Sequence, residues 1–132
     1  MIKKLNCIML VDDDEDDNFF HETEIIENHF ATVVLVEDSG KKALDHLKSG
    51  KEPHCDLIFL DINMPGMSGW EFLDEYNKLD KELQSRAMIF MLSTSENPAD
   101  VERAKNWSFV SDYITKPLTK EVIKGIISRY FN

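Results

Sequence analysis

Five short apolar runs, LNCIMLV, TVVLVE, CDLIFL, AMIFML and DYIT, recur along the chain with a segment of helical spacing after each. No other feature of the sequence narrows the fold as much. Runs of this length, rich in Val, Ile and Leu, suit strands of a parallel sheet that is covered on both faces. The segments between them, DNFFHETEIIENHF, GKKALDHLKSG, GWEFLDEYNKL and PADVERAKNW, and the final TKEVIKGIISRYF, space their apolar residues as helices do. Five strands and five helices in strict alternation predict an open α/β sheet with right-handed crossovers. The chain has 132 residues, 42% of them hydrophobic, which is material for one domain core and not for two. A single domain over residues 1–132 is therefore expected, with no linker, repeat or low-complexity tract inside it.

Several function classes are disfavoured. No apolar run approaches the roughly 18 residues that cross a bilayer. The opening MIKKLNCIMLV resembles a signal peptide only faintly, because it runs into acids and has no small-residue cleavage site. It reads as the first strand of a cytoplasmic protein. Fifteen basic against twenty-five acidic residues give a net charge of -10, which opposes nucleic acid and anionic membrane surfaces. Cys7 and Cys55 lack the spacing of a zinc site and read as reduced core thiols. His21, His29, His46 and His54 are scattered and read as surface or structural residues, and Met64, Met67, Met88 and Met91 as loop and core residues.

In open α/β sheets ligands lie beyond the carboxyl ends of the strands. The first strand here runs directly into six acids, Asp12 to Asp17. The third is followed by Asp61, the fourth by Ser93 and Thr94, the fifth by Lys116. If the first and third strands are neighbours, Asp12, Asp13 and Asp61 converge on one volume with Lys116 at its rim. Carboxylates so placed repel one another unless a cation sits among them. An all-oxygen site suits a hard divalent cation, Mg²⁺ best. Asp14, Glu15, Asp16 and Asp17 suit the start of a helix, where free N–H groups and the helix dipole favour negative charge. Pro65 and Gly66 favour a tight turn after Asp61, and Gly69 permits conformations closed to other residues.

Four motifs, LVDD, LDINMPGMSG, MLSTS and YITKP, follow one another in register with the strands. With them the chain resembles the receiver domains of two-component response regulators over essentially its whole length. The resemblance implies a flavodoxin-like, doubly wound fold: a five-stranded parallel sheet of order 2-1-3-4-5 flanked by five helices. It implies that Asp61 accepts a phosphoryl group from a phosphohistidine on a sensor histidine kinase or a histidine phosphotransfer protein. Mg²⁺, or Mn²⁺ in its place, would be held by Asp13 directly, by Asp12 largely through water, and by Asp61 and the backbone carbonyl of Asn63. Lys116 and Ser93 would contact the phosphoryl oxygens, Tyr113 would move inward when Ser93 moves, and the bond before Pro117 would be cis. Such a protein is not an enzyme beyond its own phosphorylation and dephosphorylation. With no output domain in residues 1–132, its effector would be another protein, not nucleic acid or membrane.

Other readings stand beside this one. A phosphate sink or relay intermediate would engage only phosphodonor proteins, and a receiver-like adaptor would work without phosphorylation. An aspartate-nucleophile phosphatase would want a second acid where the chain has Asn63. A calcium loop would use Asp13, Glu15, Asp17 and Glu24, but Asn18 stands at its required glycine and a strand precedes it. Two departures from the receiver pattern are Thr94, where a small alanine is common, and Trp107 with Ser108, where a glycine often ends the fourth helix.

Overall fold

In the computed structural model, which describes residues 2–84 and 86–131, the elements run β1 (Leu5–Val11), α1 (Glu15–Glu27), β2 (Ala31–Glu37), α2 (Gly40–Ser49), β3 (Leu57–Asp61), α3 (Gly69–Tyr76), α4 (Lys81–Gln84), β4 (Met88–Ser93), α5 (Pro98–Ala104), β5 (Val110–Thr115) and α6 (Lys120–Tyr130). All strand pairs are parallel and the sheet order is β2-β1-β3-β4-β5. No helix among the described residues is long and apolar enough to cross a membrane.

The helices start where side chains satisfy their free N–H groups. Asp14 accepts from the N–H groups of Asp16 and Asp17 at 2.9 and 3.1 Å, which fixes the start of α1 just past the first acids. Ser68 and Glu71 form a reciprocal capping box on α3. Asn97 caps α5 with Pro98 in its first turn, and Thr119 caps α6. Gly50 ends α2 in the left-handed region, φ 65°.

Among the described residues six helices stand where five were expected. The extra one, α4, is a single turn with no period to read. Its Gln84 is buried and donates from Nε2 to the carbonyls of Asn77 and Leu79, at 3.1 and 2.7 Å, while the Tyr76 hydroxyl donates to the Gln84 carbonyl. Side-chain packing therefore holds this turn, not propensity. Three helices also end three residues early, α3 at Tyr76 among them. α1 stops before Asn28 because His29 takes a positive φ of 57°, which turns Phe30 into the core. α5 stops before Trp107, whose ring stacks on Trp70 at 5.7 Å, and the Arg103 guanidinium lies 4.6 Å from the Trp70 ring centre. That stack is what occupies the place of a helix-ending glycine.

α1 does not sort its residues by hydrophobicity alone. It buries Asn18, His21 and Ile25 and exposes Phe19, Phe20 and Ile26, Phe19 to 72%. The buried polar residues have work: the Asn18 amide donates to the Asp12 carbonyl at 2.8 Å, and His21 accepts a backbone N–H.

Alternate residues of the central strands feed two cores. Cys7, Met9, Val11, Ile58, Leu60, Ile89 and Met91 pack under α2, α3 and α5. Ile8, Leu10, Leu57, Phe59, Phe90 and Leu92 pack under α1 and α6. Cys7 and Cys55 are both buried and free, with their sulfurs hydrogen-bonded at 2.8 Å. The pairing of Val11 with Leu60 brings the ends of β1 and β3 level. Asp12 and Asp61 therefore leave adjoining strands side by side.

Candidate functional site

Asp12, Asp13 and Asp61 each place a carboxylate oxygen within 4.8 Å of the others. They open on a cleft that is also lined by Asp14 to Asp17, Asp38, Asn63, Thr94 and Lys116. Asp12 and Asp61 are buried, at 2% and 6% exposure, while Asp13 stands exposed at the mouth. Both Asp12 oxygens are already engaged: Oδ1 accepts the Asp14 N–H at 3.0 Å and Oδ2 the Lys116 ammonium at 2.7 Å.

Lys116 is the cation among these acids. Its Nζ lies 2.7 Å from Asp12, 2.8 Å from Asp17 and 3.4 Å from Asp61. Burial opposes its charge, but the hydrogen bonds to Asp12 and Asp17 outweigh burial and raise its pKa. Asp61 moves the other way. Burial first, and then the Asp12 charge, push its carboxyl up to about 6, with Lys116 offsetting part of the rise. A carboxyl whose pKa is raised by burial and a neighbouring charge, in a polar cleft, is a marker of a functional site.

Asp17 was expected only to suit the helix start. It is instead a partner of Lys116 across 99 positions of sequence. The helix also settles the calcium alternative: α1 begins at Glu15, Asp17 is tied to Lys116, and Glu24 accepts the Lys120 N–H at 2.7 Å. No twelve-residue ligand loop forms there.

Ser93 and Tyr113 are not brought into the cleft. Ser93 is buried at 3% exposure and its Oγ accepts the Ser95 N–H at 3.2 Å, while Thr94 is the residue that faces the cleft. The Tyr113 hydroxyl donates to the Ser95 carbonyl at 3.1 Å. Ser95 thus joins the two, a link that sequence reasoning missed because it depends on the path of the β4–α5 loop. The Lys116–Pro117 peptide is cis, and the Lys116 N–H donates to the Ser93 carbonyl at 2.7 Å. Gly69 lies where an added Cβ would meet the Asp61 carbonyl at 2.7 Å, so it lets α3 start against the end of β3.

The donor set fits a hard cation. It is all oxygen and partly buried, and the single Lys116 ammonium against Asp12 and Asp61 offsets only one of the three negative charges, which leaves room for a divalent ion. Chemically, the cleft brings together a buried carboxylate, an ammonium held beside it and an all-oxygen group that could hold an ion.

Comparison with known proteins agrees with this geometry. The family model described as the response regulator receiver domain matches residues 8–128. A two-component response regulator from Cytophaga hutchinsonii, solved by crystallography, is 30% identical with a TM-score of 0.85, covering 96% of this chain and 97% of that one. Protein PilH of Pseudomonas aeruginosa is 26% identical over 91% of this chain and 93% of its own. The sensor histidine kinase GacS of Pseudomonas protegens is 27% identical over 93% of this chain, which spans only 13% of GacS. The fold, the acidic cluster at the strand ends and the match over nearly the whole sequence lead to one assignment: the chain belongs to the receiver domains of two-component response regulators.

Proposed function

We propose that the chain receives a phosphoryl group on Asp61 from a phosphohistidine of a histidine kinase or phosphotransfer protein, and signals through phosphorylation-dependent binding of an effector protein. The observation that carries this reading is the placement of Asp61. It is a buried carboxylate at the end of β3, beside Asp12 and Asp13, with the Lys116 ammonium 3.4 Å away.

In the step, an Asp61 oxygen attacks phosphorus, the P–N bond to the donor imidazole breaks, and that nitrogen takes up a proton. Such a transfer needs positioning and charge neutralisation more than covalent help. Lys116 supplies one fixed positive charge, and Ser93 a hydroxyl that reaches the phosphoryl group by leaving the Ser95 N–H. Asp13, Asp61 and the Asn63 carbonyl would hold Mg²⁺, or Mn²⁺, directly, and Asp12 largely through water. When bound, the ion neutralises charge on the phosphoryl oxygens. Asp61 must be ionised to attack; burial and the Asp12 charge raise its carboxyl to about 6 in the metal-free site, and a divalent cation held beside it would favour the ionised form.

Movement of Ser93 disturbs Ser95 and with it the acceptor of the Tyr113 hydroxyl, which reshapes the face formed by α5, β5 and α6. A partner reading that face shifts the equilibrium only by its differential affinity for the two states. The match along 93% of PilH supports a receiver that needs no attached output domain for its chemistry, and the match to part of a sensor histidine kinase supports a phosphohistidine donor. The reading assigns the chain to the cytoplasm, where such donors draw on ATP.

The test is intact mass after acetyl phosphate with and without Mg²⁺. One retained phosphoryl group on the wild type and none on Asp61→Asn is the expected result. Turnover without retention would indicate a phosphatase, and no reaction an adaptor.

A further inference from the structure

Three side chains along one stripe of α1 hold three alternate residues of the segment that carries Lys116. Asp17 accepts from Lys116 Nζ at 2.8 Å, His21 Nε2 accepts from the Leu118 N–H at 3.0 Å, and Glu24 accepts from the Lys120 N–H at 2.7 Å. Positions 17, 21 and 24 are four and three apart, the spacing of one helix face.

The middle contact is the least replaceable. Pro117 has no N–H, so after the Lys116 N–H is given to Ser93, the next backbone donor is that of Leu118. His21 is 2% exposed and Leu118 fully buried, so solvent cannot stand in for either partner. A backbone N–H facing Nε2 requires that nitrogen to be an acceptor. The ring is therefore neutral with its proton on Nδ1, the less common tautomer in water. Burial favours the same state, keeping His21 below its usual pKa against the pull of the Asp17 charge.

Lys116 carries its charge on a flexible four-carbon stem, so the position of Nζ depends on how firmly its main chain is held. On one side β4 holds it, through the Ser93 carbonyl. On the other side, among the described backbone hydrogen bonds, α1 does. We infer that His21, assisted by Glu24, is a positioning residue for Lys116, clamping the main chain beyond Pro117 so that the ammonium meets the phosphoryl group in one fixed place. This inference rests on the phosphoacceptor role proposed for Asp61.

Three variants test it: His21→Leu removes the acceptor, His21→Gln keeps one on a side chain of similar reach, and Glu24→Ala removes the exposed part of the clamp. Phosphorylation by acetyl phosphate, followed by intact mass, is expected to slow about tenfold in His21→Leu, since small misplacement of a reacting group has effects of this size. The Mg²⁺ affinity should be unchanged, His21→Gln should recover most of the rate, and Glu24→Ala should fall between. In the absence of phosphodonor, imidazole ¹⁵N signals should show Nδ1 protonated and Nε2 bare, and the Lys116 side-chain signals should shift in His21→Leu and return in His21→Gln. A folded His21→Leu at wild-type rate would overturn the inference, as would equal slowing in the Leu and Gln variants or a proton on Nε2. Should His21→Leu fail to give a cooperative melt, Glu24→Ala decides, and wild-type rate with unmoved Lys116 signals there overturns the clamp. If the wild type itself takes no phosphoryl group, the phosphoacceptor reading fails, while the tautomer and the Lys116 signals still decide the clamp.

Discussion

Replacing Asp61 with asparagine should make the metal-free protein more stable, even as it removes the proposed nucleophile. Asparagine keeps the shape and deletes one of three converging carboxylates. In the folded chain the Asp61 carboxyl is pushed from its ordinary 3.8 up to about 6 by burial and by Asp12, with the attraction of Lys116 already included. At about 1.4 kcal/mol per pH unit, that rise corresponds to about 3 kcal/mol of stability forgone once the group is ionised in both states. The sign follows from which state holds the proton more tightly. The folded state does, so the wild type bears the full cost above pH 6, a shrinking cost between 6 and 3.8, and none below. Unfolding entropy of ~2.1 cal/mol/K per residue, over 132 residues, converts 3 kcal/mol into roughly 10 °C. Some of this is lost because Asn must still satisfy its amide in the same place, so an increase of about 4 to 10 °C at pH 8 with chelator is the expected outcome. The assay is a set of thermal melts of both proteins from pH 4 to pH 8, with EDTA and then with Mg²⁺. The gap should close toward pH 4, and added Mg²⁺ should stabilise the wild type more than the variant. An Asp61→Asn protein no more stable than wild type at pH 8, or a gap that does not change with pH, would refute the reasoning.

Lys116→Ala leaves buried Asp12 and Asp61 without their cation, and should cost about 2 to 4 kcal/mol in urea unfolding at neutral pH, with part regained in Mg²⁺. Gly69→Ala forces a Cβ against the Asp61 carbonyl and Ile62 Cα, at 2.7 and 2.9 Å in the present backbone. It should cost about 1 to 3 kcal/mol by the same measurement and slow phosphorylation by moving the end of β3. Asp13→Ala should weaken Mg²⁺ binding by at least about tenfold in calorimetric titration, more than Asp12→Ala does, because Asp12 is already held by Lys116 and the Asp14 N–H. Beryllofluoride with Mg²⁺ should shift amide NMR signals near Tyr113, Trp107 and Lys120, and Ser93→Ala should suppress those remote shifts while keeping the ones around Asp61.

The strands were legible because β1, β3 and β4 are buried on both faces, which leaves a continuous apolar run in the sequence. The acids of the site were legible for the same reason, standing where those runs stop. α1 was harder. Its exposed Phe19 and Phe20 and its buried Asn18 and His21 invert the usual pattern, since the polar pair is needed inside to hold the Asp12 carbonyl and the Leu118 N–H. The stripe Asp17, His21, Glu24 looks in sequence like a solvated face, and its partners lie 96 to 99 positions away. α4 and the Ser95 link are set by loop packing and leave no periodic trace.

The two cores differ in the side chains they employ. Met9, Met64 and Met91 are buried under α2, α3 and α5, with Met67 beside them, whereas the buried set under α1 and α6 is almost wholly isoleucine, leucine and phenylalanine. Methionine is unbranched and refills gaps at small cost, while β-branched and aromatic side chains resist rearrangement. The flank under α2, α3 and α5 therefore sets adaptable methionines among the stiff rings of Trp70, Phe72 and Tyr76, and Tyr113 and Trp107 pack on that same flank. A small shift at the end of β3 would find unbranched side chains there to refill the gaps it opens.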